Sequence, residues 1–376
     1  MTDYAKGLEG VIANESALSN VEGAEGRLTY VGYSIDDLVA HCSYEEIVFL
    51  LHKGRLPNQS ELDALEKRLR SDRELPAGVI EFLKNAPKDA NPMDVLRTGV
   101  SMLGLYDKRA TIGEPDLVKI EEVGLSLVAK VPVIVAAFHR FRQGLELQPA
   151  REDLSEAGNF IWQATGREPT AKETKILDVA YTIHADHGMN ASTFSARVTV
   201  ATLSDVYSAV TSAVGTLKGP LHGGANEGVI HMLQEIGELA NVDAYIEGKL
   251  ARKEKVMGIG HRVYKVLDPR APHLQQLGKQ LSTELGEPKW LQMSERIAEI
   301  MRERKGLNAN VDFYSATVYY SLGIPTDLFT PIFAIARTSG WTAQVLEQLR
   351  DSRLYRPLTL YVGPKGPLPV PAIADR

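Results

Sequence analysis

One histidine of this chain lies in a turn too rich in glycine and proline to continue as a helix or a strand. It is His222, within residues 218–227, where Gly219, Pro220, Gly223 and Gly224 surround it. An amphipathic pattern resumes directly afterwards. Such a backbone suits a ligand site, and the plainer alternative is a helix–helix corner whose glycines only permit close packing.

Two further breaks in helical sequence also centre on polar residues. His261 lies in residues 258–262, and Asp312 lies in residues 310–314. Two histidines and an aspartate, each in a turn-like break, predict a single site assembled from distant parts of the chain. The presence of these two further polar breaks favours the ligand-site interpretation of the turn at His222.

Asp312 has a sequence setting that suits a general base. Its neighbours Val311 and Phe313 are apolar, and an apolar setting raises the pKa of a carboxylate above its usual value of about 3.9. Such a carboxylate is a better base toward a weakly acidic carbon. The alternative is a structural aspartate that caps a helix starting at Tyr314.

Positive charge is concentrated near the second break. Six cations fall within nineteen residues of a chain whose formal net charge is −6: Arg252, Lys253, Lys255, Arg262, Lys265 and Arg270. Arg270 follows Asp268-Pro269, so we expect a guanidinium held in a fixed turn that can grip a carboxylate with two hydrogen bonds. The lysines would suit phosphates, although a solvated basic face is the ordinary alternative.

Three other kinds of site receive less support. His184 and His187 share a helix face and could bind a metal, but no cysteine cluster accompanies them, so we predict no metal, a packed His184 and a ligand donor at His187. Residues 258–260 resemble the start of a dinucleotide fingerprint, yet no strand precedes them and the third glycine is missing. Cys42, the only cysteine, lies in an apolar segment, and we predict that it is a buried thiol.

Helical periodicity dominates the elements that must hold these residues. Residues 8–13 and 27–33 alternate and predict a small N-terminal ribbon, while Ser43 with Glu46 and Thr170 with Glu173 predict capping boxes. Pro92 opens a helix, and Pro132 restarts or kinks another. We expect a large helical domain of residues 1–225 and 318–376 and a small one of residues 226–317.

Composition narrows the class of protein. The 376 residues are 44% hydrophobic and 24% charged, as in a folded globular protein. The negative charge argues against a nucleic-acid partner, and no window reaches the ~20 apolar residues that a membrane helix needs. The first residues lack the features of a signal peptide. We therefore expect a cytoplasmic protein without a nucleic-acid or membrane partner.

Four motifs, in order and over nearly the whole length, closely resemble those of the citrate synthases, in the short form without an extra N-terminal regulatory domain. They are His184-Ala185-Asp186-His187 through Asn190-Ala191-Ser192-Thr193, then Gly219-Pro220-Leu221-His222-Gly223-Gly224-Ala225-Asn226, then Gly260-His261 through Asp268-Pro269-Arg270, and Asn310-Val311-Asp312-Phe313. The resemblance implies a mainly α, two-domain homodimer that condenses oxaloacetate with acetyl-CoA and hydrolyses the citryl thioester. It implies acetyl-CoA as cosubstrate and no permanently bound cofactor.

The resemblance also implies roles for individual residues. Asp312 would take a proton from the methyl carbon of acetyl-CoA, His222 would donate to the thioester oxygen, and His261 would protonate the oxaloacetate carbonyl. The implied substrate-binding residues are His187, Asn190, Arg270, Arg337 and, from the other subunit, Arg356. The implied CoA-binding residues are Lys255, Val256, Gly258, Gly260, Arg262 and Lys265.

Two alternative functions remain at this stage. One is 2-methylcitrate synthase, which has the same fold and residues but acts on propionyl-CoA. The other is a catalytically silent helical dimer that binds an anion or a protein partner. A scaffold of that kind has no need for His222, His261 and Asp312 together, so the enzyme is the preferred hypothesis.

Overall fold

The computed structural model describes residues 4–110, 113–285 and 288–376. In these residues the chain folds into helices and one small sheet, which confirms the mainly α fold with an N-terminal β ribbon. The helices are α1 (Ile35–His41), α2 (Tyr44–Lys53), α3 (Gln59–Ser71), α4 (Ala77–Asn85), α5 (Pro92–Tyr106), α6 (Leu117–Arg142), α7 (Glu156–Thr165), α8 (Ala171–His184), α9 (Ala191–Val200), α10 (Val206–Leu217), α11 (Ala225–Ile236), α12 (Val242–Ala251), α13 (Ala271–Leu285), α14 (Lys289–Lys305), α15 (Val311–Ser321) and α16 (Phe329–Arg350). None of them, within the described residues, has the length and apolar content to cross a membrane.

The ribbon is an antiparallel sheet of three short strands in the order β1 (Ser19–Glu22), β2 (Arg27–Tyr30) and β3 (Tyr33–Ser34). The predicted strand at residues 27–33 is therefore largely right, whereas the one at residues 8–13 is wrong. A turn of four residues joins β1 to β2, and this local connection supplies the partner strand. Residues 8–13 pair with no strand among the described residues, and Ile12 is 90% exposed.

Local helix signals were reliable. The capping boxes at Ser43 and Thr170 are both formed, and Pro92 opens α5. Pro132 does not restart the helix, because α6 is a single helix that contains it. Neighbouring helices pack against α6 on several sides, and this packing offsets the loss of one N–H donor.

Helix α16 lies at the centre of the fold. It contacts α2, α5, α6, α8, α9 and α10, and nearly all of its residues are buried. Two of them, Arg337 and Trp341, are large side chains with a hydrogen-bonding group, and they are 1% and 0% exposed. Burial of an arginine is costly unless charge or hydrogen bonds compensate it, so the guanidinium of Arg337 requires polar partners inside the fold.

Helices α11 to α15 form a second group. Helix α13 packs on α15, α11 packs on α15, and α12 packs on α14. These helices span residues 225–321, close to the small domain predicted at 226–317. The group contacts the rest of the chain at α8, at α16 and at the ribbon, where the backbone N–H of Lys265 donates to the carbonyl of Gly23 at 3.0 Å.

Candidate active site

His187 lies in the irregular segment between α8 and α9. It is 9% exposed, its Nε2 is 3.0 Å from the hydroxyl of Tyr264, and its ring centre is 5.6 Å from that of His261. Burial, with the charges of Arg270 and Arg337, lowers the pKa of His187 well below 6.5, so the ring is neutral. His184, by contrast, is packed and hydrogen-bonded within its helix, with Nδ1 2.7 Å from the carbonyl of Ala180, as predicted.

The turn at His222 requires glycine at the next position. The N–H of Gly223 donates to the carbonyl of Leu217 at 2.9 Å, and a Cβ at Gly223 would lie 2.6 Å from that same oxygen. Only a residue without a side chain fits so close an approach. The turn therefore folds back on the end of α10 and directs His222 toward α9.

Ser192 determines which nitrogen of His222 carries the proton. The backbone N–H of Ser192 donates to His222 Nε2 at 3.3 Å, and the Ser192 hydroxyl lies 2.8 Å from the same atom. Trp341 donates its indole N–H to that hydroxyl at 3.1 Å. Burial, and then Arg337, lowers the pKa of His222 to about 4, so the ring is neutral. Since Nε2 accepts, Nδ1 carries the proton and can donate it to a ligand.

His261 has the opposite tautomer for a similar reason. Its Nδ1 accepts from the backbone N–H groups of Val263 at 3.0 Å and Tyr264 at 3.1 Å. Burial, and then the charge of Arg270, lowers its pKa to about 4. The ring is neutral near pH 7, and its proton lies on Nε2. His222 and His261 are thus two neutral donors that present different ring nitrogens.

The loop before His261 is joined to the loop before Asp312. Asn310 donates its side-chain amide to the carbonyl of Gly260 at 2.8 Å, and its backbone N–H donates to Gly258 at 2.9 Å. Gly258 has φ +73°, and a Cβ there would lie 2.6 Å from Val229 and 2.8 Å from Phe313. Two segments about fifty residues apart in sequence therefore form one unit.

Asp312 lies in the first turn of α15 with one carboxylate oxygen, Oδ1, that is buried and has no hydrogen-bond partner among the described residues. Burial raises its pKa from 3.8 to about 7, and Arg270 partly opposes this rise. The capping alternative is wrong, because Asn310 caps the helix by accepting from the N–H of Asp312 at 3.0 Å. The oxygen of Asp312 is left available for chemistry.

Two buried arginines, Arg270 and Arg337, bring positive charge to the site. Arg270 forms a two-point ion pair with Asp268, with Nε–Oδ1 at 3.0 Å and Nη2–Oδ2 at 2.8 Å. Arg337 donates from Nε to the carbonyl of His184 at 2.6 Å and lies over the ring of Phe333. The remaining N–H groups of both guanidiniums are suited to carboxylates.

Several contacts bring the predicted groups near one another. The ring centres of His187 and His261 are 5.6 Å apart, and Phe333 lies against both His222 and Arg337. The carboxylate of Asp268 joins Arg270 to the residue before Asp312. The sequence prediction of one assembled site is therefore supported by the geometry.

Other predicted residues lie at the edge of this site or away from it. Asn190 caps α9, and its amide oxygen accepts from the N–H of Thr193 and lies 2.8 Å from the hydroxyl oxygen of Ser192. Arg356 lies in the exposed segment after α16, and no hydrogen bond in the described residues joins it to the site. The remaining residues are those predicted to bind CoA, and they lie on either side of the loop of Gly258 and Gly260. Val256 is buried, and Lys255, Arg262 and Lys265 are exposed.

Sequence reasoning gave no role to three residues that hold the site together. They are Ser192, Tyr264 and Trp341, which contact His222, His187 or each other. Ser192 and Tyr264 lie inside the quoted motifs, so position in a motif was the available signal. No sequence signal indicated Trp341, because an aromatic residue in an apolar helix usually belongs to the core. No group of three or more His, Cys, Asp or Glu side chains in the described residues could hold a metal ion.

Comparison with known proteins agrees with the geometry. The family model "Citrate synthase, C-terminal domain" matches residues 7–358. The chain is 52% identical over 360 residues to citrate synthase 2 of Bacillus subtilis, covering 96% of each chain. It is 42% identical over 367 residues to 2-methylcitrate synthase 2 of Corynebacterium glutamicum, covering 96% of this chain and 95% of that one.

A solved structure has the same fold over its full length. It is the ternary complex of carboxymethyl coenzyme A and oxaloacetate with citrate synthase from the archaeon Thermoplasma acidophilum, with a TM-score of 0.93, 31% identity and 100% coverage of both chains. Family, fold and the arrangement of polar groups agree. The chain belongs to the citrate synthase family of acyl-transferring enzymes.

Proposed function

We propose that this protein condenses acetyl-CoA with oxaloacetate and hydrolyses the citryl-CoA product to citrate and CoA. The observation that carries the proposal is the protonation pattern of three groups. Asp312 has a raised pKa and a free oxygen, His222 presents Nδ1–H, and His261 presents Nε2–H. These are a base, a donor and an acid at three positions, as carbon–carbon bond formation with a ketone requires.

The first step is formation of the enol of acetyl-CoA. Asp312 takes a proton from the methyl carbon, and the carbon–hydrogen bonding pair moves into the new carbon–carbon double bond. His222 donates its Nδ1–H to the thioester oxygen, where negative charge develops. A carboxylate whose pKa is near 7 is a stronger base toward a carbon acid than an ordinary aspartate.

The second step joins the enol carbon to the ketone carbon of oxaloacetate. His261 gives its Nε2 proton to the ketone oxygen as the new bond forms. Arg270, Arg337 and His187 hold the two carboxylates, so buried positive charge meets a dianion inside a protein of net charge −6. Water then adds to the thioester carbon and returns a proton to Nε2 of His261. The carbon–sulfur bond breaks, and the proton held by Asp312 goes to the leaving sulfur of CoA, so that both residues regain their starting states.

CoA would approach along the loop of Gly258 and Gly260. The exposed cations Lys255, Arg262 and Lys265 would bind its phosphates, and the backbone from Val256 onward would lie against the adenine. The protein would keep no permanent cofactor. These assignments rest on the open basic surface beside a loop that is hydrogen-bonded to the base-bearing segment.

Domain closure is part of the proposal, because an enol must be protected from water. The segment 226–317 would rotate onto residues 1–225 and 318–376 when oxaloacetate binds. Contacts of Tyr264 with His187, and of Lys265 with Gly23, join the two parts as closure would require. Structures with and without oxaloacetate test this, and superposable structures would refute it.

A homodimer is also proposed, with Arg356 of one subunit reaching the oxaloacetate site of the other. Its support is the exposed segment after α16, which carries Arg356 together with exposed Leu358, Leu360 and Tyr361. The enzyme would act in the cytoplasm and supply citrate to the tricarboxylic acid cycle. Sedimentation of the protein, and mixing of inactive Arg356 and Asp312 variants, test the shared site, since heterodimers would regain activity.

The decisive experiment measures release of free thiol from acyl-CoA in the presence and absence of oxaloacetate. Acetyl-CoA and propionyl-CoA differ by one methylene, worth only ~1–3 kcal/mol of binding. We expect the larger kcat/KM with acetyl-CoA. A larger value with propionyl-CoA would instead identify a 2-methylcitrate synthase. No release from either, with both ligands bound, would identify a catalytically silent protein.

A further inference from the structure

Tyr264 is a buried residue between His261 and Arg270 that contacts both histidines of the oxaloacetate site. Its side chain is 3% exposed, and its hydroxyl is 3.0 Å from His187 Nε2. Its ring centre lies 4.8 Å from that of His261 and 5.5 Å from that of His187. One side chain therefore touches two rings that come from distant parts of the sequence.

The backbone of Tyr264 has a separate contact with His261. Its N–H is one of the two donors to His261 Nδ1, at 3.1 Å, and so helps to keep the proton on Nε2. The hydroxyl, the aromatic ring and the backbone thus make three different contacts. Each of them limits the position or the protonation of a histidine.

The ribbon fixes the segment that carries Tyr264. The N–H of Lys265 donates to the carbonyl of Gly23 at 3.0 Å, and a Cβ at Gly23 would lie 2.4 Å from the carbonyl oxygen of Val263. The backbone of this segment therefore packs directly against that of the ribbon when the two parts of the chain are in contact. The same contact places the phenol beside His187.

We propose that Tyr264 is a positioning residue of the oxaloacetate site, whose hydroxyl fixes the ring of His187 and whose aromatic ring supports that of His261. This inference rests on the proposed function of those two histidines. Neither imidazole is charged near pH 7, so no strong ion pair orients them. Burial raises the pKa of Tyr264 above its usual range, so its hydroxyl keeps its proton.

Two substitutions separate the roles of the hydroxyl and the ring. Tyr264→Phe removes only the oxygen, and the Kd of oxaloacetate should rise about tenfold, as for loss of one hydrogen bond. Its kcat should fall less than threefold, because the ring beside His261 remains. Tyr264→Leu also removes the ring, and its kcat should fall at least tenfold further, because a misplaced acid slows proton transfer.

Tyr181→Phe is the matched control. This phenol is also buried, but its hydroxyl has no partner among the described residues, so neither oxaloacetate binding nor kcat should change. Titration calorimetry measures Kd, and thiol release measures kcat. An unchanged or smaller Kd in Tyr264→Phe, or equal kcat values in the Phe and Leu variants, would overturn the inference. Inactivity of the wild-type protein would overturn the proposed function instead, and oxaloacetate binding alone would still test the hydroxyl.

Discussion

The carboxylate of Asp268 accepts a hydrogen bond from the backbone N–H of Val311 at 3.2 Å, one residue before Asp312. The same carboxylate holds the guanidinium of Arg270 at two points. A single buried anion therefore connects a proposed substrate-binding cation to the helix that carries the proposed base. Its negative charge also contributes to the raised pKa of Asp312.

The substitution Asp268→Asn should move the pH dependence of activity toward acid. Removing this anion lowers the pKa of Asp312 from about 7, because less negative charge opposes its ionisation. Activity, which needs the ionised base, should then reach half of its maximum at a lower pH. The pH profile of kcat/KM measures this shift.

Asp268→Asn should also be less stable, by about 3 kcal/mol, because Arg270 loses its buried partner. Urea unfolding measures this change. Asp243→Asn is the control, since Asp243 pairs with Arg296 on the exposed surface and should alter neither property by much. A profile that stays in place or moves toward alkali would show that Asp268 does not act on the base.

The substitution Asp312→Asn should lower kcat by ~10²–10⁴, the range associated with lost general-base catalysis. Binding of oxaloacetate should be nearly unchanged, because the arginines and His187 remain. Thiol-release kinetics and calorimetric titration with oxaloacetate measure the two quantities. Turnover at the wild-type rate would mean that the base has been misassigned.

Sequence alone predicts those parts of the fold and site that depend on local signals. The capping boxes at Ser43 and Thr170 involve residues three positions apart, and both are formed. Strand pairing is not local, and residues 8–13 form no strand because none of the described residues pairs with them. The alternative role of Asp312 as a helix cap is wrong, because Asn310 caps α15 two residues earlier.

The supporting residues of the site could not be predicted because their contacts span long sequence separations. Tyr264 meets His187 across 77 residues, and Ser192 meets His222 across 30. No periodicity or spacing encodes such pairs. The motifs predicted which residues form the site, whereas the tautomers of His222 and His261 follow only from backbone donors that the fold brings to them.

The substitution Ser192→Ala should lower kcat about tenfold without weakening oxaloacetate binding. The backbone N–H still donates to His222 Nε2, so the tautomer is kept, but one of the two contacts that orient the ring is lost. The indole N–H of Trp341 also loses its acceptor, which should cost about 1–3 kcal/mol of stability. Steady-state kinetics and thermal unfolding measure both effects.

Ser195→Ala is the matched control for Ser192→Ala. Ser195 lies on the same helix, and its hydroxyl bonds to Ser212 rather than to a residue of the site. Its kcat should stay at the wild-type value. A similar loss of activity in both variants would show that α9 tolerates no change, and that Ser192 has no particular relation to His222.

Asp312→Asn should be more stable than the wild-type protein at pH 8 and gain little at acid pH. The folded-state pKa of Asp312 lies above its usual 3.8, so its stabilising contribution is complete below about pH 4 and is lost as the pH rises to about 7. The rise to about 7 is worth at most about 4 kcal/mol. Asparagine cannot ionise and avoids this loss, so the difference in free energy of unfolding should grow from pH 4 to pH 7 and then level off. Urea unfolding at pH 5 and pH 8 measures this difference. A variant that is less stable than the wild-type protein at pH 8 would show that burial does not destabilise the ionised carboxylate of Asp312.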